Sequence, residues 1–330
     1  MKIALDAMGS DSAPQAELEG VALTLQQVPD LEVVLVGKPE IISSLRKHRP
    51  ERLELVPATE AVGMHESPSE AVKRKRDSSI AVCMNLLKEN RVSAVVSAGN
   101  TGAVMAFALT TLGAIPGVYR PTLGVLFPTL KGSTLVLDVG ANVDCKPVQL
   151  FQFGVIGSTA ASYMFRKANP TVGLLNIGRE DSKGNEAALA AYRMLKESEL
   201  NFVGNVEGNA VLDGSVDVVV CDGFVGNVVL KYGEELGEVL SRLLVEYLES
   251  ESKYRLRRWF SKPVLHEFID RMDYEEHGGA LMLGVNGTVV AAHGRSSPRA
   301  ILNALRSAMQ AADGRLAEHI KNRFAQLPQD

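Results

Sequence analysis

Cysteine is scarce in this chain of 330 residues: Cys83, Cys145 and Cys221 are all there are. Their spacing contains no C-x-x-C pair, so neither a disulfide framework nor a zinc site is expected. A reducing cytoplasm is the compartment that fits. Aromatic residues are few, at 5%, and Trp259 is the single tryptophan. A basic excess is missing too. Lys and Arg number 35 against 39 Asp and Glu, a net charge of −4. That excludes a nucleic-acid surface spread over the whole chain, and any anionic partner must meet a local patch. The first strand-to-helix turn, DAMGSD, lacks the G-x-G-x-x-G dinucleotide fingerprint. The six histidines (His48, His65, His266, His277, His293 and His319) form no H-E-x-x-H or comparable metal spacing. No metal and no cofactor are expected. The start, MKIALDAMGSD, passes straight into a strand pattern without the apolar region of a signal peptide. Charge is absent between Arg91 and Arg120, a span long enough to cross a bilayer. Ser97, Asn100, Thr101, Thr110, Thr111 and Pro116 interrupt it, so a buried strand, a turn and a buried helix fit better.

What is present alternates. Short runs rich in Val, Ile and Leu read as strands over 2–6, 32–36, 53–56, 93–97, 122–127, 134–138, 172–177, 201–204, 217–221 and 287–293. Helical patterns fall between them, at about 14–28, 39–47, 68–75, 78–90, 102–112, 147–167 and 185–197, with a last helix over 298–324. The alternation predicts an α/β fold of three layers, a mostly parallel sheet covered by helices on both faces. The pair 122–127 and 134–138, joined by Leu-Lys-Gly-Ser, reads as a hairpin that makes the sheet mixed. No repeat, low-complexity tract or linker divides the chain.

Four strand-like runs end in Gly/Asn-rich turns: SAGNTG (97–102), DVGAN (138–142), NIGREDSKGN (176–185) and CDGFVGN (221–227). Open α/β sheets bind ligands at the carboxyl ends of their strands. Glycine lets backbone amides approach, and helix N-termini favour anions. Four such turns on one sheet predict an enclosed site for an anionic substrate. Each turn also has a plain structural reading. Asn100 or Thr101 can cap a helix, Asp138 and Asn142 can make Asx turns, and Asp222 and Gly223 can simply reverse the chain. GREDSKGN is the most distinctive, because Glu180, Asp181 and Lys183 bring both charge signs to one turn. Lys183 with the amides of Gly184 and Asn185 could hold a phosphate, although this is not the spacing of a Walker loop.

Other features carry less. Cys221 lies beside Asp222, which raises a thiol's pKa, so a cysteine nucleophile is disfavoured. His293 ends a strand and is the histidine best placed to reach a pocket. Four cations in a row, Lys73, Arg74, Lys75 and Arg76, follow a helix start and complement its C-terminus. After Asn227, apolar residues at helical spacing from Leu236 to Leu248 form an amphipathic stripe. Residues 250–268 then mix Arg255, Arg257 and Arg258 with Trp259 and Phe260, either as a helix corner or as a membrane-surface segment.

Taken together, DAMGSD, SAGNTGA, RPTLGVLFPT, LVLDVGANVD, GLLNIGREDSKGNE, NFVGNVEG, DVVVCDGFVGNVVLK and GGALMLGV…HG resemble the bacterial phosphate acyltransferase family of phospholipid synthesis, the PlsX family. The resemblance runs from Lys2 to about Arg306. Ser10 stands where the family usually has glycine. The resemblance implies a phosphotransacetylase-like, isocitrate/isopropylmalate dehydrogenase-like fold, with residues 1–330 as one domain. It implies a projecting helical hairpin over 228–272 that makes a homodimer contact and carries a membrane-facing tip. The implied enzyme is an acyltransferase that moves a long-chain acyl group from acyl-acyl carrier protein to inorganic phosphate. The acyl phosphate would feed a membrane glycerol-3-phosphate acyltransferase. The expected location is cytoplasmic, peripheral to the membrane, with no nucleic-acid partner. Catalytic roles are expected for Lys183, Asn185, Asp222, Asn227 and His293. Substrate contacts are expected from Asn100, Thr101, Asp138, Asn142, Glu180, Gly184 and Gly223. Carrier-protein docking is expected at Lys73, Arg74, Arg76, Arg255 and Arg258, and membrane contact at Trp259 and Phe260. Two alternatives stay open on the residues: an NAD-dependent hydroxy-acid dehydrogenase on a similar fold, and a non-enzymatic carrier-protein or lipid-surface binding module.

Overall fold

The structure, a computed structural model, describes residues 1–45, 50–250 and 278–327. The strands are β1 (Lys2–Asp6), β2 (Glu32–Gly37), β3 (Leu53–Pro57), β4 (Ala94–Ser97), β5 (Thr122–Thr129), β6 (Gly132–Leu137), β7 (Thr171–Leu175), β8 (Asn201–Val206), β9 (Val218–Val220), β10 (Ala280–Leu283) and β11 (Thr288–Ala291). The helices are α1 (Gln15–Gln27), α2 (Pro39–Leu45), α3 (Pro68–Arg74), α4 (Ser79–Lys88), α5 (Thr101–Thr111), α6 (Pro147–Met164), α7 (Glu186–Lys196), α8 (Ala210–Asp213), α9 (Gly223–Ser250), α10 (Pro298–Asp313) and α11 (Leu316–Ala325).

All the strands join one sheet in the order β3-β2-β1-β4-β11-β10-β5-β6-β9-β7-β8. Their near-continuous apolar sequences are explained by burial on both faces. Ile3 and Leu5 enter one core with α1, α6, α7, α10 and α11. Ala4, between them, enters the other with α3, α4, α5 and α8. The same period of two sends Val33 and Leu35 to the first core and Val34 and Val36 to the second.

The sheet reverses direction at its centre. β3, β2, β1, β4 and β11 are mutually parallel. β10 runs antiparallel to both β11 and β5. β6 runs antiparallel to β5, and β9, β7 and β8 follow β6. The carboxyl ends of β1, β4 and β11 therefore lie on one edge, and those of β6, β9 and β7 on the other. The four Gly/Asn-rich turns, although on one sheet, therefore do not share one edge. SAGNTG, after β4, is opposed to the other three.

The hairpin at β5 and β6 forms as its turn residues suggest. The last helix does not form as one piece. It breaks into α10 and α11 at Gly314–Arg315, where Arg315 takes a left-handed φ of 48°. β10 and the single turn α8, four residues each, are not among the elements read from the sequence. α9 extends unbroken from Gly223 to Ser250 and carries the apolar stripe. The rest of the expected 228–272 hairpin lies outside the described residues, as do Arg255, Arg258, Trp259 and Phe260. Among the described residues, no helix is long and apolar enough to cross a membrane.

Candidate functional site

The best-ordered part of the site is the turn after β6. Asp138 is fully buried. Its carboxylate accepts backbone N–H groups from Leu123 (3.1 Å), Gly140 (3.3 Å), Ala141 (3.0 Å) and Asn142 (2.6 Å), and the Asn142 side-chain amide at 2.9 Å. Burial pushes this carboxyl above its ordinary range, and the loop amides pull against that shift. Asn142 also donates to Pro121 O at 2.8 Å, and its own carbonyl accepts the Gly223 N–H at 2.8 Å. A Cβ on Gly223 would lie 2.7 Å from that carbonyl oxygen. Asp138, Asn142 and Gly223, expected to touch substrate, are thus committed to tying the β6 turn to the start of α9.

α9 starts with Asp222, whose carboxylate accepts the Val225 N–H at 2.8 Å, a capping contact. Gly226 packs so closely that a Cβ would meet Asp138 O at 1.9 Å. One residue later, Asn227 is exposed and lies beside Gly140. Among the described residues nothing hydrogen-bonds its side chain.

The turn after β7 lies on the same edge, because β7 is the neighbour of β9. Asn176 donates to Lys183 O (2.9 Å) and Asn205 donates to Glu180 O (2.8 Å), which fixes the loop from below. The side chains of Glu180 and Lys183 both lie over Gly178. Gly184 holds a φ of 108° against the Asn176 side chain, where a Cβ would come within 2.8 Å. Asn185 caps α7 through the Ala188 N–H (2.9 Å). Lys183 is exposed and has no carboxylate partner among the described residues. Asp181 instead accepts the Tyr192 hydroxyl (2.6 Å) and Lys196 (2.9 Å), and these partners hold its carboxyl below the usual range.

On the opposite edge Asn100 has a structural role. It caps α5 through the Ala103 N–H (3.1 Å) and donates to Met64 O (2.9 Å) and Glu66 O (3.0 Å). Thr101, next to it, is exposed in the first turn of α5. The basic run is largely neutralised within its own neighbourhood. Glu70 pairs with Lys73 at 3.6 Å and Arg74 at 3.1 Å, and Glu66 pairs with Lys75 at 2.5 Å. Arg76 is exposed.

The two edges meet along α9. A cleft of about 500 Å³ is lined by Asn227, Lys231, Tyr232 and three glutamates of α9, and across from them by Arg295. Arg295 follows β11, so it comes from the other half of the sheet. His293 belongs to the same loop, and its Nδ1 accepts the Arg295 N–H at 3.1 Å. The remaining proton of a neutral imidazole is therefore on Nε2. Burial, then the charges of Lys231 and Arg295, lower its pKa against the opposing pull of Glu234 and Asp11. The structure thus brings Asn227 and His293 toward one cleft. Lys231 and Arg295 were not singled out from sequence. Lys231 is four residues after Asn227 and shares its helix face, a spacing that could have revealed it. Arg295 had no such signal.

The thiols are withdrawn from chemistry. Burial pushes Cys83 and Cys221 well above the usual thiol range and Cys145 to about 12. Cys221 points at Asp138 O (3.4 Å) and Cys145 at Asn142 O (3.4 Å). Among the described residues no group of three His, Cys, Asp or Glu could hold a metal ion.

Comparison with known proteins covers nearly the whole chain. The model of the fatty acid synthesis protein family matches residues 1–319. The phosphate acyltransferase of Nostoc punctiforme is 47% identical over 329 residues, covering 98% of this chain and 96% of that protein. The phosphate acyltransferase of Heliobacterium modesticaldum is 47% identical over 314 residues, covering 94% and 93%. A solved phosphotransacetylase from Streptococcus pyogenes superposes with a TM-score of 0.63 at 15% identity, covering 95% and 94% of the two chains. The phosphotransacetylase likeness establishes the architecture, a mostly parallel mixed sheet between helical layers, and nothing about chemistry.

Proposed function

We propose, from the premise that this chain belongs to the fatty acid synthesis protein family and is a phosphate acyltransferase, that it moves a long-chain acyl group from acyl-acyl carrier protein to inorganic phosphate. The products are acyl phosphate and free carrier protein. The observation that carries a direct transfer is the state of the thiols. Cys83 and Cys221 are buried, and burial raises the pKa of all three thiols, which disfavours a cysteine acyl-enzyme. Phosphate needs no such help, being a nucleophile in its own right.

In this reading an oxygen of hydrogen phosphate attacks the thioester carbonyl. A C–O bond forms, the C–S bond breaks, and the proton of the hydrogen phosphate ends on the departing sulfur. The enzyme holds the anion, aims it and stabilises the oxyanion. Lys183 and the amides about Gly184 hold phosphate, with Glu180 and Asn185 shaping that turn. The Asn227 amide donates to the phosphate or to the developing oxyanion. Asp138, Asn142, Asp222 and Gly223 fix the turn that presents Asn227. His293, neutral with its proton on Nε2, hydrogen-bonds the leaving sulfur without giving up that proton, since the proton that neutralises the sulfur comes from the hydrogen phosphate. Asn100 and Thr101 border the opposite side.

The partners follow from the same chemistry. Carrier proteins of this kind are acidic, and Lys73, Arg74 and Arg76, or Arg255 and Arg258, offer cations for docking. A long acyl chain is costly to release into water, at about 0.8 kcal/mol per methylene. Delivery at a membrane surface through Trp259 and Phe260, to a membrane glycerol-3-phosphate acyltransferase, avoids that cost. The exposed stripe on α9, which includes Val239, Leu240, Leu243 and Tyr247, supports a homodimer contact. The deciding experiment incubates the protein with acyl-acyl carrier protein and phosphate and looks for acyl phosphate by mass spectrometry. Hydrolysis to free fatty acid alone, or no phosphate dependence, would refute the proposal.

A further inference from the structure

The asparagines of the strand-end turns divide by what they already do. Asn100 spends both ends of its amide on backbone partners, and Asn142 donates its amide nitrogen to a backbone carbonyl and a carboxylate. Asn185 spends its oxygen on a helix cap. Asn227 spends nothing and lines a cleft. The cations of that cleft divide in the same way. Lys231 is paired with Glu234 at 3.0 Å, and on the helix beyond, Arg242 pairs with Glu238. Arg295 is exposed, lines the cleft, and has no carboxylate partner among the described residues. Its loop is held in place, because the Arg295 N–H donates to His293 and the Ser296 N–H and hydroxyl both donate to His293 O, at 2.9 and 2.6 Å.

We infer that the Arg295 guanidinium and the Asn227 carboxamide, which face one cleft from opposite halves of the sheet, together bind a phosphate group of a substrate. This rests on the acyl-transfer reading above and adds to it a residue that reading does not contain. A guanidinium presents a planar fork that matches two phosphate oxygens, and a neutral amide adds a donor without repelling the anion. Glu234 and Glu238 do not oppose this charge, since each already has a cation. Glu235 stays available on the α9 wall, so the anion is placed toward Arg295 rather than toward the glutamate face. The cleft, at about 500 Å³, falls in the size range of small-molecule sites. Two phosphate groups could occupy it: the inorganic phosphate that attacks, or the phosphodiester of a carrier protein's thiol arm.

The test is steady-state kinetics of the full chain, wild type against Arg295→Ala and Arg295→Lys. Two donors are compared: the acyl carrier protein thioester, and an acyl thioester of N-acetylcysteamine, which has no phosphodiester. Phosphate is varied with each. If Arg295 holds the nucleophile, the alanine variant raises the phosphate KM at least about tenfold with both donors. If it holds the thiol arm, the KM rises similarly for the carrier-protein donor alone. In either case the lysine variant recovers part of the loss, because charge returns without the fork. Both KM values within about twofold of wild type, or a fall in kcat with both KM values unchanged, overturn the inference. Equal thermal midpoints verify that the alanine variant is folded, as expected for an exposed side chain. A wild type that yields no acyl phosphate with either donor overturns the functional reading, and the inference with it, before any variant is compared.

Discussion

Asn142 gives both its backbone N–H and its side-chain amide to one carboxylate oxygen of Asp138, at 2.6 and 2.9 Å. Three further backbone amides complete the cage. The cage needs an acceptor at every position, which a carboxylate supplies and a carboxamide does not. Asp138→Asn should therefore cost about 2–4 kcal/mol of stability in urea denaturation. A loss below about 1 kcal/mol would contradict this role.

The asparagines should separate by assay. Asn227→Ala should leave stability within about 0.5 kcal/mol and lower kcat/KM about 100-fold. Lys183→Ala should lower activity together with its phosphate dependence. Asn100→Ala should instead cost about 2 kcal/mol, from the lost α5 cap and the released Met64–Glu66 loop. An Asn100 variant that is fully stable yet inactive would reverse this assignment.

Gly226 marks where α9 leaves the sheet. Any Cβ there would lie 1.9 Å from Asp138 O and 2.9 Å from the Cys221 sulfur, and the first of these is backbone that cannot swing aside. Gly226→Ala should destabilise by at least about 3 kcal/mol or prevent soluble expression, whereas Gly132→Ala, with nothing within 4 Å but a φ of 134°, tests strain alone.

The pH response of His293 has a definite sign. Its pKa in the folded chain lies below the ordinary 6.5, first because of burial and then because of Lys231 and Arg295. Below 6.5 the unfolded chain takes up a proton that the folded chain refuses, so stability falls as pH falls. Wild type should lose more stability than His293→Asn between about pH 7.5 and pH 5.5. Asp6, Glu17 and Asp138, whose carboxyls are raised by burial, act in the opposite sense but equally in both proteins. Parallel losses in the two proteins would count against the assignment.

Trp259→Asp combined with Phe260→Asp should reduce sedimentation with anionic vesicles while activity in solution is largely kept. Unchanged sedimentation would remove the membrane role from this segment.

Much of the fold could be read from the residues because most of the sheet is buried on both faces. Apolar runs such as EVVLV and KIALD have no other stable home. The β5–β6 hairpin was legible for the same reason, together with its Gly-containing turn. The site was legible only as parts. Asn100, Asn142 and Asn227 occupy similar Gly/Asn-rich turns, so the pattern assigned them similar roles. Their partners, Met64 O, Pro121 O and an open cleft, come from distant segments, and no local pattern contains them.

By itself the sequence determined the alternation of strands and helices and the family, because these rest on period and ordered motifs. Tertiary structure alone decided which turns share an edge. Three successive antiparallel pairings, β11 with β10, β10 with β5 and β5 with β6, leave the two halves of the sheet running in opposite directions, so SAGNTG faces away from DVGAN, GREDSKGN and CDGFVGN. It also decided that α9 would carry Asn227 to a cleft where Arg295 arrives from the other half. That meeting depends on strand order and helix length across 67 intervening residues, a separation over which local sequence has no physical hold.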